Sequence, residues 1–163
     1  MNLTAEKFDI VVIGGGAVGS GIALDATLRG YKVLLLEKND FGSGTSTKSS
    51  KLVHGGVRYL EKAITTFDKA QYDLVKEGLK ERWSFLKNAS NISHRFKLNV
   101  PSYSYWNLVK SYVGLYLYRL ISGKKNLGKN SFLNKVVSSL FSPNLKKENL
   151  KACVSFYDGT FLD

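Results

Sequence analysis

The chain has 163 residues, 44% of them hydrophobic, so it is the size of one ordinary domain with enough apolar material for a core, and disorder of the whole chain is excluded. The single cysteine, Cys153, cannot pair within the chain and no charged-then-apolar leader opens it, so a reducing, intracellular compartment is the expectation and the sequons at Asn2, Asn88 and Asn91 are fortuitous. The net charge of +11 is uneven, because no acidic residue lies between Glu81 and Glu148 while basic residues recur from Arg82 to Lys147; such a block suits nucleic acid, an anionic membrane surface, an acidic small substrate, or a merely solvated face.

Phe8 to Ile13 is a short apolar run ending at Gly14, and Tyr31 to Leu36 is another ending at Glu37. Their length and β-rich content predict buried parallel strands. Between them, Val18, Ile22, Ala26 and Arg29 fall at helical spacing and Gly30 follows as a helix C-terminal residue, which completes a βαβ unit. Phe67, Ala70, Leu74, Leu79, Trp83 and Leu86 predict one long amphipathic helix from Ile64 to Lys87, ended by Asn88 and Ser90. Phe96 to Pro101 predicts a strand that stops at the proline. Tyr105 to Ser122 predicts a second helix with Trp106, Val109, Val113, Leu117, Leu120 and Ile121 on one side. Its longest uncharged run, Ser111 to Tyr118, falls short of the roughly 18 residues that span a bilayer. Gly123 to Lys151 reads as a loop with one small helix around Val136, Val137, Leu140 and Phe141, and Val154 to Tyr157 as a strand with Asp158-Gly159 as its turn.

Gly14-Gly15-Gly16-Ala17-Val18-Gly19 satisfies G-x-G-x-x-G after a strand and at the start of a helix, with Glu37 at the end of the next strand. This is the context of a dinucleotide site. Gly14 permits the tight turn, Gly16 lets backbone approach a pyrophosphate, Gly19 lets helix and strand come close, and the helix N-terminus offers N–H groups to phosphate. Glu37 accepts from a ribose diol, and its charge disfavours a 2′-phosphate. The motif does not choose between NAD and FAD, but Phe41 to Ser46 is a small-residue loop suited to running beside a large flat ligand.

Two blocks resemble the FAD-dependent glycerol-3-phosphate dehydrogenases and the related α-glycerophosphate oxidases. The first is Ile13 to Gly30, including Asp25 and the Arg29-Gly30 pair; the second is Thr45 to Glu61, reading TSTKSSKLVHGGVRYLE. Weaker likeness runs through Leu74 to Arg82, Arg95 to Leu98 and Phe156 to Gly159, while Ser90-Asn91 stand where the family tends toward Pro-His after Asn-Ala. The resemblance implies an α/β fold, a Rossmann-like FAD-binding segment over 1–90 followed by the start of a substrate or cap region over 91–163. Cofactor binding falls to Gly14, Gly15, Gly16, Gly19, Glu37, Lys38, Thr45, Ser46, Ser49, Ser50, Leu52, His54, Gly55 and Gly56. It implies a catalytic His54, with Arg58 and Tyr59 on the substrate phosphate, whose oxygens an arginine fork matches. No metal is expected. The family's second, glycine-rich signature is not found in this chain, so it reads as a truncated amino-terminal fragment, inactive alone.

The implied reaction is oxidation of glycerol 3-phosphate to dihydroxyacetone phosphate, with quinone as electron acceptor. The place of work is then the cytoplasm or the inner membrane face, held by an anionic surface, and a homo-oligomer stays open for the full-length protein. An oxygen-using oxidase and a non-catalytic nucleotide-binding module are the alternatives. Nucleic-acid binding is not expected, since no motif accompanies the basic block and the interleaved aromatics Tyr103, Tyr105, Trp106, Tyr112, Tyr116 and Tyr118 read as helix core. For His54 the alternative is a hydrogen-bonded structural histidine, and for Arg58 an ion pair with Glu61.

Overall fold

A computed structural model describes residues 6–142 and 144–162, so Asn2 lies outside the described residues. The chain divides into two compact units at Ser50 and Lys51. In the first unit, β1 (Ile10–Ile13) and β2 (Val33–Leu36) pair in parallel with Ile10 opposite Val33 and Ile13 opposite Leu36, joined through α1 (Ala17–Leu28). This is the expected βαβ unit, and Gly30 follows α1 with φ +91°. The expectation of strands buried on both faces is met on one only. Val12 is buried, whereas Val11 is exposed and Ile13 is 86% exposed, because two strands and one crossover helix cover a single sheet face.

The second unit is an antiparallel sheet with helices. The ten-residue β6 (Ala152–Phe161) is its centre, paired along its whole length with β4 (Ser93–Ser102), from Ser93 opposite Phe161 to Ser102 opposite Ala152. Its other edge is shared by β3 (Leu52–Val53), opposite Thr160 and Gly159, and β5 (Ser131–Asn134), opposite Ser155 to Ala152. The helices are α2 (Val57–Thr66), α3 (Lys69–Asn88), α4 (Tyr105–Ser122) and the short α5 (Lys135–Phe141). Leu60, Val75, Leu79, Leu115, Tyr118, Val154 and Phe156 form one buried cluster between the helices and β6.

Several predicted elements change here. The single helix from Ile64 to Lys87 is two helices: Phe67 takes φ +52°, and the Asp68 side chain caps α3 by accepting from the N–H groups of Ala70 and Gln71 at 2.9 and 3.3 Å. An aspartate cap one residue beyond a β-branched pair, Thr65-Thr66, favours a new helix start over continuation. The strand expected to stop at Pro101 runs through it, because β4 is paired on one side only and an edge strand has no ladder bond for proline to break there. Asp158-Gly159 is mid-strand rather than a turn. The helix from Tyr105 to Ser122 is found at those residues, capped by Ser104, which accepts from Asn107 N–H at 3.1 Å. Its core-facing residues are Leu108, Tyr112, Leu115, Leu117, Tyr118 and Ile121, so the predicted side is met at Leu117 and Ile121, while Trp106, Val109, Val113 and Leu120 are exposed, Trp106 at 76%. Strand β5 lies in what reads as loop.

Candidate active site

In the first unit the glycine motif is built of backbone. Gly14 leaves β1 with φ +106°, a conformation that L side chains disfavour. A Cβ on Gly19 would overlap the Gly14 carbonyl oxygen, so only glycine lets α1 begin this close to the strand. Helix α1 opens on Gly16 with no side-chain cap of its own. The Ser46 hydroxyl, from the loop after β2, takes that part by accepting from Ala17 N–H at 2.9 Å. Glu37 accepts from Gly15 N–H at 2.7 Å through Oε2 and from Asn39 N–H at 2.9 Å through Oε1. Those contacts, Asn39 foremost and Gly15 next, hold its carboxyl below the usual range. A carboxylate has about four acceptor positions, so capacity remains for a ribose hydroxyl. Gly15, Gly16, Gly19, Glu37 and Ser46 are thus brought together, while Lys38, Thr45, Ser49 and Ser50 are exposed on the following loop.

In the second unit the two-residue β3 delivers the chain into a sharp turn. Lys51 C=O accepts from Phe161 N–H at 3.1 Å and Thr160 Oγ1 at 2.9 Å, and the half-buried Leu52 and Val53 pair with β6. His54 is exposed, Gly55 and Gly56 are buried, and Gly56, at φ +74°, is the residue before α2. Gly56 N–H donates to His54 Nδ1 at 3.1 Å, so the neutral imidazole carries its proton on Nε2. Arg58 and Tyr59 follow in the first turn of α2, both exposed. The Arg58–Glu61 pair is not formed: Glu61 accepts from Lys110 Nζ at 2.6 Å, and Arg58 makes no ion pair among the described residues. A cavity of about 520 Å³ beneath α2 and α4 has Arg58 in its lining, but neither His54 nor Tyr59.

A further set of groups under this turn is absent from the expectations above. Gly55 N–H donates to Tyr118 Oη at 2.7 Å, and Tyr118 Oη donates to Asp158 Oδ2 at 3.2 Å. Asp158 Oδ1 accepts from Arg82 Nη1 at 2.7 Å, and Arg82 Nη2 donates to Ser122 Oγ at 3.1 Å and Lys125 C=O at 3.4 Å. Arg82, Tyr118, Ser122 and Asp158 are all buried. Burial pushes the Asp158 carboxyl up, against the opposing pull of Arg82 and Tyr118, and burial likewise pushes the Tyr118 phenol up. Arg82 therefore leaves the basic surface to which its sequence position assigns it. The available signal was Arg82 on the inward face of α3, one helical turn after Leu79 and Gly78.

Among the described residues there is no group of His, Cys, Asp and Glu placed to hold a metal ion, and no helix long and apolar enough to cross a membrane. The chain is 45% identical over 158 residues to the mitochondrial glycerol-3-phosphate dehydrogenase of Schizosaccharomyces pombe, a match covering 97% of this chain and 24% of that one. It therefore spans about a quarter of the length of the curated relatives it matches. Among solved structures, glycerol-3-phosphate dehydrogenase from Bacillus halodurans complexed with FAD superposes with a TM-score of 0.60 at 30% identity, over 98% of this chain and 23% of that one. L-α-glycerophosphate oxidase from Mycoplasma pneumoniae with FAD bound gives a TM-score of 0.68 at 16% identity, over 97% and 39%, which is likeness of fold. The resemblance carried by the two sequence blocks is borne out by these relatives. The profile of the FAD-dependent oxidoreductases matches residues 9–162, and the chain belongs to that family.

Proposed function

We propose that the full-length protein oxidises sn-glycerol 3-phosphate to dihydroxyacetone phosphate with FAD as hydride acceptor and membrane quinone as the eventual electron acceptor. The observation that carries this reading is the turn at His54-Gly55-Gly56. It presents an exposed imidazole, then an exposed Arg58 with no ion-pair partner among the described residues, then an exposed Tyr59, in a chain 45% identical to a glycerol-3-phosphate dehydrogenase. FAD, when bound, supplies the acceptor at flavin N5 for the hydride from C2 of the substrate.

The residues of the first unit fit that cofactor. The backbone N–H groups at the glycine-built start of α1 and the close approach at Gly19 suit a pyrophosphate, and the carboxylate of Glu37 suits an adenosine ribose. Lys38, Thr45, Ser46, Ser49 and Ser50 add a charge and hydroxyls for phosphate and the polar edge of the flavin, and Leu52 to Gly56 carry the chain to the ring. His54, with Nδ1 engaged by Gly56, would offer Nε2–H to the C2 oxygen, orienting the C2–H bond and stabilising the negative charge left on that oxygen as its hydroxyl proton passes to solvent water and the hydride leaves C2. Arg58 and Tyr59 hold the phosphate. On this reading residues 1–90 serve the cofactor and 91–163 begin the substrate region.

The place of work we assign is the inner, cytoplasmic face of a membrane, reached peripherally. Arg82 is buried and Lys110 and Lys146 are paired with Glu61 and Glu148, but other basic residues of the acid-free block remain available to an anionic surface, beside the exposed apolar side chains of α4. The test is anaerobic addition of glycerol 3-phosphate to the purified full-length flavoprotein. Bleaching of the flavin by glycerol 3-phosphate and not by glycerol, with reoxidation by a quinone analogue, is expected; an unbleached flavin would sink the reading. Rapid reoxidation by oxygen with stoichiometric peroxide would instead assign oxidase chemistry.

A further inference from the structure

The turn that carries His54 is tied down by a side chain from a distant helix. Gly55 is buried, and its N–H finds its acceptor 63 residues away, in Tyr118 of α4. Nothing larger than glycine fits there, because a Cβ would lie 2.6 Å from Leu79 Cδ2 and 2.8 Å from Tyr118 Oη. A single phenolic oxygen has one proton and two lone pairs. Here the proton goes to Asp158 and a lone pair to Gly55, so the position of Tyr118 Oη is fixed from both sides. Asp158 is fixed in turn by Arg82, and Arg82 by Ser122 and Lys125. The chain of contacts thus draws α3, α4 and β6 onto one peptide group. The other end reaches the imidazole, since the next N–H, that of Gly56, donates to His54 Nδ1.

We propose that Tyr118, oriented by the buried Asp158–Arg82 pair, is a positioning residue for the candidate active site. It fixes the Gly55 peptide, and through the Gly56 N–H it fixes the orientation and tautomer of His54. The inference deepens the functional reading above and rests on it. Burying an ion pair is no efficient route to stability, since apolar groups of the same shape serve as well or better. A pair retained beneath an exposed histidine is accounted for by the geometry it imposes on that histidine. Arg58 and Tyr59 are held differently: they ride on α2, which is anchored in the core through Leu60 and Ala63. The network therefore controls the reacting end of the substrate and leaves the phosphate end alone.

The experiment uses the full-length flavoprotein with Tyr118→Phe, which removes one oxygen, with Asp158→Asn, with both together, and with the core variant Val75→Ala as a stability control. Rates are expressed per bound FAD. Tyr118→Phe is expected to slow flavin reduction by about 10- to 100-fold, the scale of loss from a misplacement of order 1 Å, with KM for glycerol 3-phosphate changing less than about threefold if the phosphate end is untouched. Asp158→Asn alone should slow it as well, and the double variant should be no slower than the worse single, as groups acting in one chain are not additive. Val75→Ala should lower the melting temperature and leave the rate per FAD intact. Selective ¹⁵N-histidine labelling, with the signal assigned by His54→Gln, reads the same proposal without substrate: Nδ1 is an unprotonated acceptor in the parent, and its shift moves in Tyr118→Phe. A rate per FAD within twofold of the parent together with an unmoved His54 signal would overturn the proposal, as would parallel losses in kcat and KM or in Val75→Ala. A parent flavin that glycerol 3-phosphate does not bleach, with a His54 signal that still moves, would overturn the functional reading and leave the positioning intact.

Discussion

In the first unit, the contacts that shape the candidate nucleotide site stay within one βαβ unit and the loop after it, Gly15 to Glu37 across 22 residues and Ala17 to Ser46 across 29, through backbone N–H groups and short side chains at a half-open surface. In the second, the turn bearing His54 is held by Tyr118 at a separation of 63 residues, and Arg82 reaches Asp158 across 76, all of it buried. The first is a site made by local backbone conformation, and it must remain accessible to a ligand. The second is a turn held by tertiary packing, with the exposed His54 outside and its support inside. The two should fail differently when altered.

The largest expected effect is in the first unit. Gly19→Ala places a methyl where the Gly14 carbonyl oxygen sits; the strand or the helix start must move, and the donors for the pyrophosphate move with it. The full-length protein is expected to lose nearly all bound FAD, read as the ratio of flavin to protein absorbance, while its far-UV circular dichroism is retained. Stoichiometric FAD in that variant would show that the approach of α1 to β1 does not matter for the cofactor.

Next in size is Arg82→Met in the second unit. It leaves the Asp158 carboxylate buried without its guanidinium, a loss of about 3–5 kcal/mol, read from the urea midpoint. Adding Asp158→Leu removes the orphaned charge and should restore much of the stability without restoring flavin reduction, because Tyr118 Oη then has no acceptor on that side. Recovery of both together would mean the pair serves stability alone.

This contrast also explains what the sequence made legible. The βαβ unit, the roles of Gly14 and Gly19 and the position of Glu37 follow from short-range rules of turn, helix start and strand end. The limits of α4 were equally readable, since Ser104 and Gly123 bracket it. The break at Phe67 was hidden by an apolar pattern that continues across it, although Asp68 was there as a cap. Asp158-Gly159 looks like a turn because that dipeptide commonly makes one. It is a strand because the carboxylate is taken by Arg82 and because Gly159, lacking a side chain, lets β3 approach; a Cβ there would meet Val53 C=O at 2.9 Å. The inward face of α4 was legible only in part, at Leu117 and Ile121, for a related reason. The helix is apolar on both sides, and what selects the Tyr118 side is a polar partner elsewhere in the chain, which periodicity cannot display.

A third alteration separates phosphate binding from both kinds of support. Arg58→Ala removes an exposed guanidinium from α2 without disturbing an ion pair, so the fold should be unaffected. Glycerol 3-phosphate should bind more weakly by about 2–5 kcal/mol, the range for losing one partner of a desolvated charge pair, with glycerol little changed and lysine restoring only part because it lacks the fork. Equal losses for the two substrates would give Arg58 a structural role and would detach it from the phosphate.

The smallest expected effect is one of pH, and its sign differs between the units. Glu37 is held below the ordinary carboxylate range by the N–H groups of Asn39 and Gly15, so in the window between its folded value and the ordinary one, about 4.3, the unfolded chain binds more protons and stability rises with pH. Its contribution is present above the ordinary value and is lost as the pH falls through the lowered one. Asp158 is pushed the other way by burial, so its contribution is present below the ordinary aspartate value and declines as the pH rises through the raised one. Melting temperature measured from pH 3 to pH 8 in the FAD-free full-length protein should therefore lose part of its acid-side decline in Glu37→Gln. In Asp158→Asn it should lose part of a decline on the neutral side, over and above any uniform drop from the changed hydrogen bonding. Should Glu37→Gln leave the acid limb untouched, the two backbone contacts to that carboxylate are not maintained in solution, and the ribose would meet an unengaged glutamate.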